Sequence, residues 1–371
     1  WVSSNASITF QHPVVVYGKL HISDNGFMDG GPVIVTRESG EIEIEGGTLL
    51  VKQFRPSTVT ASTPRGSFTM TNGIMNVTGP QHAGGFAMFD WSYANTSFKM
   101  SGGTININDA NGTGSLLINS VNYDITGGNI NINIPTTNNA VIQSTVPIWN
   151  LNISKAAATA NRAIIAGLPL QVLNNLTIQT GNNPTLDANG NNVFVGGNFN
   201  LQTGTTYTPG TNTTTFNGNG GQTFDNAGSI TGGLYRLEVS NSGNLTISND
   251  LAVTNNLTIN QGCFINDNGK IIRVSGNIYN SGTAVSKAGG GIETNGTVNQ
   301  EIGGSGSGVF GNLYVNKTTG TLSLAANQSV LGNIRLVNGN LDIKTYNLRL
   351  SETSGIYDAI TGTGINFSGS K

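Results

Sequence analysis

Over long stretches of the chain, apolar residues occupy every second position, and the runs break at glycine or asparagine. One run reads Ile42-x-Ile44-x-Gly46-Gly47-x-Leu49-x-Val51. It returns as Phe68-x-Met70-x-Asn72-Gly73-x-Met75-x-Val77, as Phe98-x-Met100-x-Gly102-Gly103-x-Ile105-x-Ile107, and as Tyr123-x-Ile125-x-Gly127-Gly128-x-Ile130-x-Ile132. A weaker copy, Gly18-x-Leu20-x-Ile22, precedes them. Period-two alternation predicts strands with one buried and one wet face. The Gly pair between two such strands predicts a sharp corner, because glycine reaches backbone angles that other residues avoid.

The second Gly of each copy stands at 47, 73, 103 and 128, giving intervals of 26, 30 and 25 residues. A supersecondary unit returning at that period is the mark of a solenoid. If one unit is one coil, Leu49, Met75, Ile105 and Ile130 stack inside, with Val51, Val77, Ile107 and Ile132 beside them. Asn106 and Asn108 then lie near Asn131 and Asn133 on the outside, where stacked amides can bond along the ladder. Parallel strands about 4.8 Å apart, in coils of roughly 23 residues, would give about 16 coils and a rod about 75 Å long. A string of β-sandwiches also has short strands at regular spacing. Its unit of about 100 residues does not fit the short period.

From about residue 146 a longer repeat appears. Asn150-Leu151-Asn152-Ile153 returns as Arg236-Leu237-Glu238-Val239 and as Asn312-Leu313-Tyr314-Val315. Asn175-Leu176-Thr177-Ile178 returns as Asn256-Leu257-Thr258-Ile259 and loosely as Asn333-Ile334-Arg335-Leu336. Gly197-Asn198-Phe199 returns as Gly276-Asn277-Ile278, and Asn217-Gly218-x3-Gln222-x-Phe224 as Asn295-Gly296-x3-Gln300-x-Ile302. The expected fold is therefore all-β, a right-handed parallel β-helix (β-solenoid) with coils of about 20–30 residues. Two sections are expected: 1–145 with loop excursions near 52–66 and 79–98, and 146–371 with repeats of roughly 80 residues, three or four coils each and the last incomplete.

The second section resembles the β-strand-repeat segments of large secreted surface proteins of Bacteroidota-type bacteria. The resemblance rests on GGNFNLQTGTTYTPGTNTTTFNGNGGQTF, LYRLEVSNSGNLTISNDLAVTNNLTINQG and GNIYNSGT, and covers roughly residues 146–350. It implies export by the type 9 secretion system and a place in stalks, adhesins, gliding-motility proteins or surface filaments. The C-terminal sorting domain of that family is not recognisable, since repeat texture continues near the end of the sequence.

Composition narrows the chemistry. Only 10% of the 371 residues are charged, against about 25% in ordinary proteins. The net charge is −2, and no basic stripe offers a footprint for nucleic acid. No apolar run approaches the ~20 residues of a membrane-spanning helix. A single cysteine, Cys263, excludes an internal disulfide framework and reads as a small residue beside a Gly turn.

Parallel β-helices also carry polysaccharide-cleaving enzymes, which need two carboxylates at a set separation. The acids here are scattered. Glu41, Glu43 and Glu45 (with Glu38 nearby) alternate with Ile42 and Ile44 and read as one solvated strand face. His12, His21 and His82 have no partner at ligand spacing, so no zinc site is expected, and His21 between Leu20 and Ile22 reads as an outward residue. Asp24-Asn25-Gly26 and Asp267-Asn268-Gly269 read as turns rather than calcium loops. No motif calls for a cofactor or a catalytic metal.

One stretch breaks the repeat, GPQHAGGFAMFDWSYANTSF at 79–98. It gathers Phe86, Phe89, Trp91 and Tyr93, which either cover an open side of the solenoid or offer faces to a glycan or a protein. The expectation is thus a non-catalytic extracellular or cell-surface protein, a rigid stalk, filament or adhesin segment. Its partners would be surface glycans or other surface and secretion proteins. Exposed strands at a solenoid's ends would favour end-to-end continuation or self-association. The rival expectation is a carbohydrate-binding or polysaccharide-cleaving β-helix, recognisable by two acids meeting within about 5–10 Å in a groove.

Overall fold

In the computed structural model the alternating segments are short parallel strands, with no helix among the described residues. Those residues are 1–371 without 4, 38, 57–65, 80–84, 352–353, 355, 359–366 and 370–371. The chain is a parallel β-solenoid of about 15 stacked turns. It divides into two compact units, Trp1–Asn191 with Gln202–Tyr207, and Asn192–Leu201 with Thr208–Lys371. The change of sequence texture near residue 146 falls inside the first unit.

In the first unit one turn runs through three strands, for example Glu41–Ile44, Thr48–Val51 and Gln53–Pro56. The next turn lays Ser67–Met70, Ile74–Val77 and Phe89–Trp91 on them in parallel. The corner phrases stack as their spacing predicts. Leu49, Met75, Ile105 and Ile130 pair in register and continue to Leu151 and Leu176. Val51, Val77, Ile107 and Ile132 continue to Ile153 and Ile178, and every member of both ladders is buried. Each such side chain contributes roughly 1.5–3 kcal/mol by leaving water.

The corner needs glycine on two counts. At Gly103 the backbone is left-handed, with φ +73°, and a Cβ would stand 2.6 Å from Met70 Cε and 2.9 Å from Asn72 O. At its neighbour Gly102 a Cβ would collide with the carbonyl of Thr71 in the turn before. On the wet face the asparagines form a chain of amides. Asn106 Nδ2 donates to Asn76 Oδ1 (2.8 Å), Asn131 to Asn106 (2.7 Å) and Asn152 to Asn131 (2.8 Å). A carboxamide both donates and accepts, so identical side chains can satisfy each other along a stack. Asn133 instead meets Ser154, whose hydroxyl is 3.4 Å from its Oδ1.

In the second unit three ladders run in parallel. One joins Thr213–Phe216, Arg236–Val239, Leu257–Ile259, Ile278–Asn280 and Gln300–Gly303. A second joins Phe199–Leu201, Gln222–Asn226, Asn244–Ile247, Phe264–Asn266 and Thr283–Val285. The third joins Leu251–Val253, Ile271–Val274 and Gly291–Thr294 and reaches Leu313 and Ile334 in the long strands that follow. Corners here use asparagine as well as glycine. Asn198, Asn226, Asn256, Asn277 and Asn312 each accept, through Oδ1, the backbone N–H of a residue one turn on, at 2.8–3.0 Å. Where the chain bends, the side-chain amide replaces the backbone carbonyl that the ladder would otherwise supply.

The long sequence repeat is not a whole number of turns. Gln222 lies in the second ladder and Gln300 in the first, more than three turns and fewer than four apart. Leu237 lies in the first ladder and its counterpart Leu313 in the third; Leu257 and Ile334 do the same. Each copy is therefore set one face round from the last, yet keeps its bonds. Gln222 Oε1 accepts from Gly218 N (3.0 Å) while Nε2 donates to Val195 O (2.8 Å) and Gly197 O (2.5 Å). Gln300 does the same with Gly296 N (2.9 Å), Val274 O (3.0 Å) and Gly276 O (2.6 Å).

Candidate functional site

The aromatic excursion is where sequence reasoning placed a binding surface. Two of its four aromatics face the other way. Strand Phe89–Trp91 pairs with Leu116–Ile118, and its alternation sends Phe89 (0% exposed) and Trp91 (2%) into the coil. They interleave there with Phe54, Phe68 and Phe98. Ring centroids lie 5.1 Å apart for Phe54 and Phe89, 5.8 Å for Phe54 and Trp91, and 5.6 Å for Phe68 and Phe89. Such packing leaves Phe89 no face for a ligand and Trp91 only an edge at the shallow niche beside Tyr93, so both rings belong to the core. The signal was present in the sequence as Phe89-x-Trp91, the same period-two pattern that marks every other strand.

Phe86 and Tyr93 are half-buried. The Phe86 ring lies under the Arg55 guanidinium at 4.8 Å, and its carbonyl accepts from the side chains of Asn111 (2.7 Å) and Gln53 (3.4 Å). Tyr93 edges a shallow niche with Thr36, Arg37, Pro56, Ser92 and Thr96. Between the two, Asp90 is buried on the outer side of the strand and takes the Ala87 N–H on Oδ2 at 3.1 Å. Burial pushes its carboxyl above the usual range, against the opposing pull of Ser92, the Ala87 amide and the Arg55 charge. The same burial lowers Arg55. The group ties the excursion down to the strand. Most of the expected 52–66 loop, residues 80–84 with His82, and Glu38 lie outside the described residues.

His21 departs from expectation. Its strand position is outward, but the residue is only 4% exposed. The Trp1 ring sits over it with centroids 4.0 Å apart, and its Nε2 lies 3.0 Å from Glu45 Oε2 and 3.7 Å from Glu43 Oε2. His21, Glu43 and Glu45 offer ligand atoms within 4.8 Å of one another. Lys19 Nζ already holds Glu43 at 2.6 Å, and His21 Nδ1 is buried without the acceptor that orients a metal-bound imidazole. The cluster reads as a side-chain network in which Lys19 pairs with Glu43 and His21 is hydrogen-bonded to Glu45.

The remaining acids decide how a catalytic pair would look. Glu301, Ser323 and Asp342 pair across successive turns, in a groove shared with Asn277, Asn299 and Lys344. Two turns separate the acids by about 9.6 Å of backbone, which is inside the spacing expected of a polysaccharide-cleaving pair. Lys344 stands between them, its Nζ 3.1 Å from Glu301 and its N–H on Asp342 Oδ1 at 2.9 Å. Asp250 and Glu293 likewise share Arg273, at 3.0 and 3.4 Å. Burial works to raise the Asp250 carboxyl, but the Ile271 amide and Arg273 outweigh it and hold it below the usual range. A glycosidase needs one acid raised enough to carry a proton beside an ionised partner. Instead Arg273 bridges Asp250 and Glu293, and in the other groove Lys344 binds Glu301 through its ammonium and Asp342 through its backbone N–H. Cys263 is buried beside Gly262, and burial raises its thiol, which makes it a poor nucleophile.

No protein-family model matches the chain, and no curated protein or solved structure matches it.

Proposed function

We propose that this chain is a non-catalytic structural and adhesive section of an extracellular surface protein, a stalk, filament or adhesin segment. The observation that carries the reading is the use made of polar side chains. Asparagines bond to the next turn, as in the chain from Asn76 to Asn152, and acids pair with cations, as at Lys19–Glu43, Arg162–Asp187 and Lys344–Glu301. Side chains that hold turn to turn serve stiffness and are not free for proton transfer.

The resemblance of residues 146–350 to the surface-protein repeats of Bacteroidota-type bacteria supplies the setting, including type 9 export and roles in adhesion or gliding. Two measurements test the reading. Intact cells that carry the gene should lose the protein to an added protease and bind an antibody raised against this chain. The purified chain should release no reducing ends and no unsaturated sugars from a panel of plant and bacterial polysaccharides. Turnover of any of them would overturn the non-catalytic reading, and protection from protease on intact cells would overturn the surface one.

A further inference from the structure

The stacked corners of the first unit form a trough of about 640 Å³ on the outer surface. Its floor is backbone. A Cβ on Gly47 would strike Gly26 O, and one on Gly73 would stand 2.5 Å from Gly46 O, so no side chain can rise from these floor positions. One wall carries a single residue from each of five successive turns: Phe27, Thr48, Ile74, Thr104 and Asn129, paired in register. Asp24, Asn25 and Asn72 complete the lining. At about 4.8 Å per turn the wall extends some 19 Å, enough for several sugar rings.

The wall alternates in chemistry. Phe27 (36% exposed) and Ile74 (41%) present apolar faces, and between and beyond them stand two hydroxyls and an amide. A pyranose has the same duality, an apolar ring face and a hydroxyl rim, and exposed aromatic rings suit the former. No lysine or arginine lines the trough, while Asp24 does, which disfavours phosphate, sulfate or nucleic acid. An added peptide strand is disfavoured too. The backbone at the corner is already in its ladder, with Thr48 N on Gly26 O (2.8 Å), Ile74 N on Gly47 O (2.9 Å) and Thr104 N on Gly73 O (3.0 Å). We infer that this trough binds a linear, uncharged polysaccharide lying along the stack of turns.

The inference rests on the adhesive reading and gives it a ligand class. The test is calorimetric titration of the full chain with hexasaccharides of β-1,4-glucose, β-1,4-mannose, β-1,4-N-acetylglucosamine and α-1,4-glucose, with hexagalacturonate as the anionic comparison. At least one neutral hexamer should bind saturably, and the anionic one about tenfold more weakly or not at all. Phe27→Ala should weaken binding about five- to tenfold through loss of one ring face. Thr48→Trp, which fills the trough from an outward position, should abolish it. Tyr279→Ala, at an exposed ring of the second unit, should leave it unchanged. Absence of binding by all four neutral hexamers at about 10 mM, equal binding of hexagalacturonate, or affinity indifferent to Phe27→Ala would each overturn the inference. A Ser/Thr-rich decapeptide that competes the sugar from the trough would do so as well. None of these failures touches the stalk reading, which falls only on turnover or on the cell-surface test.

Discussion

Gln222 and Gln300 offer a controlled comparison, because the chain builds one corner twice on different faces. In each case the buried Gln accepts from the Gly four residues before it and donates to two carbonyls of the turn below. In each case the first carbonyl has a second donor, Asn217 N on Val195 O and Asn295 N on Val274 O, both at 3.1 Å. The sites differ in one respect. Lys317 is fully buried, and its Nζ donates to Gly296 O (2.7 Å), Val298 O (2.8 Å) and Gln300 Oε1 (2.7 Å). Gln222→Leu leaves one buried N–H without an acceptor and one carbonyl without its donor, a cost of about 2–4 kcal/mol. Gln300→Leu costs the same and also strips a buried ammonium of one of its three acceptors, a further loss of about 1.5–3 kcal/mol for a bond to a charged group.

A repeat protein can open in segments, so a single melting curve is a poor measure. Amide hydrogen exchange reports local opening instead. The strands around the mutated corner should exchange faster in both variants, and about ten- to a hundredfold faster in Gln300→Leu than in Gln222→Leu. Lys317→Met removes the charge but also takes the donor from Gly296 O and Val298 O, so it has a cost of its own; combined with Gln300→Leu, the double variant should be less labile than the two single effects added together. Equal exchange in Gln222→Leu and Gln300→Leu, or strictly additive effects of Gln300→Leu and Lys317→Met, would refute the reasoning.

Gly103→Ala should destabilise by about 2 kcal/mol or more, since a left-handed φ and a collision with Met70 and Asn72 act together, while Gly112→Ala, with open space around it, should be neutral in thermal melting. Asn131→Ala breaks two amide bonds of the outer ladder and should cost about 1–2 kcal/mol, seen as faster exchange in the strands on either side. Asp90 has a raised folded-state pKa, so the folded chain holds the proton more tightly than the unfolded chain, and its burial penalty is complete above the folded pKa and relieved as pH falls through it. Asp90→Asn should therefore melt higher than the parent at pH 8, with the gap closing toward pH 4; a gap independent of pH would contradict the assignment.

The solenoid was legible because its signals are local and backbone-driven. Period-two alternation and a positive-φ corner act within ten residues, so Leu49, Met75, Ile105 and Ile130 could be stacked from spacing alone, and Asn106 could be set beside Asn131. What failed to show was burial caused by neighbours distant in sequence. His21 keeps the outward phase of its strand and is covered by Trp1 and Glu45, from the turns on either side. Phe89 and Trp91 kept the inward phase, but the irregular stretch around them hid a strand of three residues. The buried Gln positions were readable in principle, since Gln222-x-Phe224 and Gln300-x-Ile302 place a polar side chain on the apolar phase, and an inward Gln needs backbone partners at once.

The long repeat carries a different lesson, about where recognition can reside. A block inserted into a three-sided coil need not span whole turns. It must only keep apolar residues inward and corners at corners, and those demands are the same on each ladder. That is why Leu237 and Leu313 can both point inward from different faces, and Gln222 and Gln300 can keep the same backbone bonds there. Faces so interchangeable cannot present one constant outer surface, because each copy turns its polar residues in a new direction. The corner phrases of the first unit behave otherwise. Their glycines stay in one column from Gly47 through Gly73 and Gly103, so the residues beside them, Phe27 to Asn129, make a continuous wall. A surface that keeps its direction over five turns is the one on which an elongated ligand can be read.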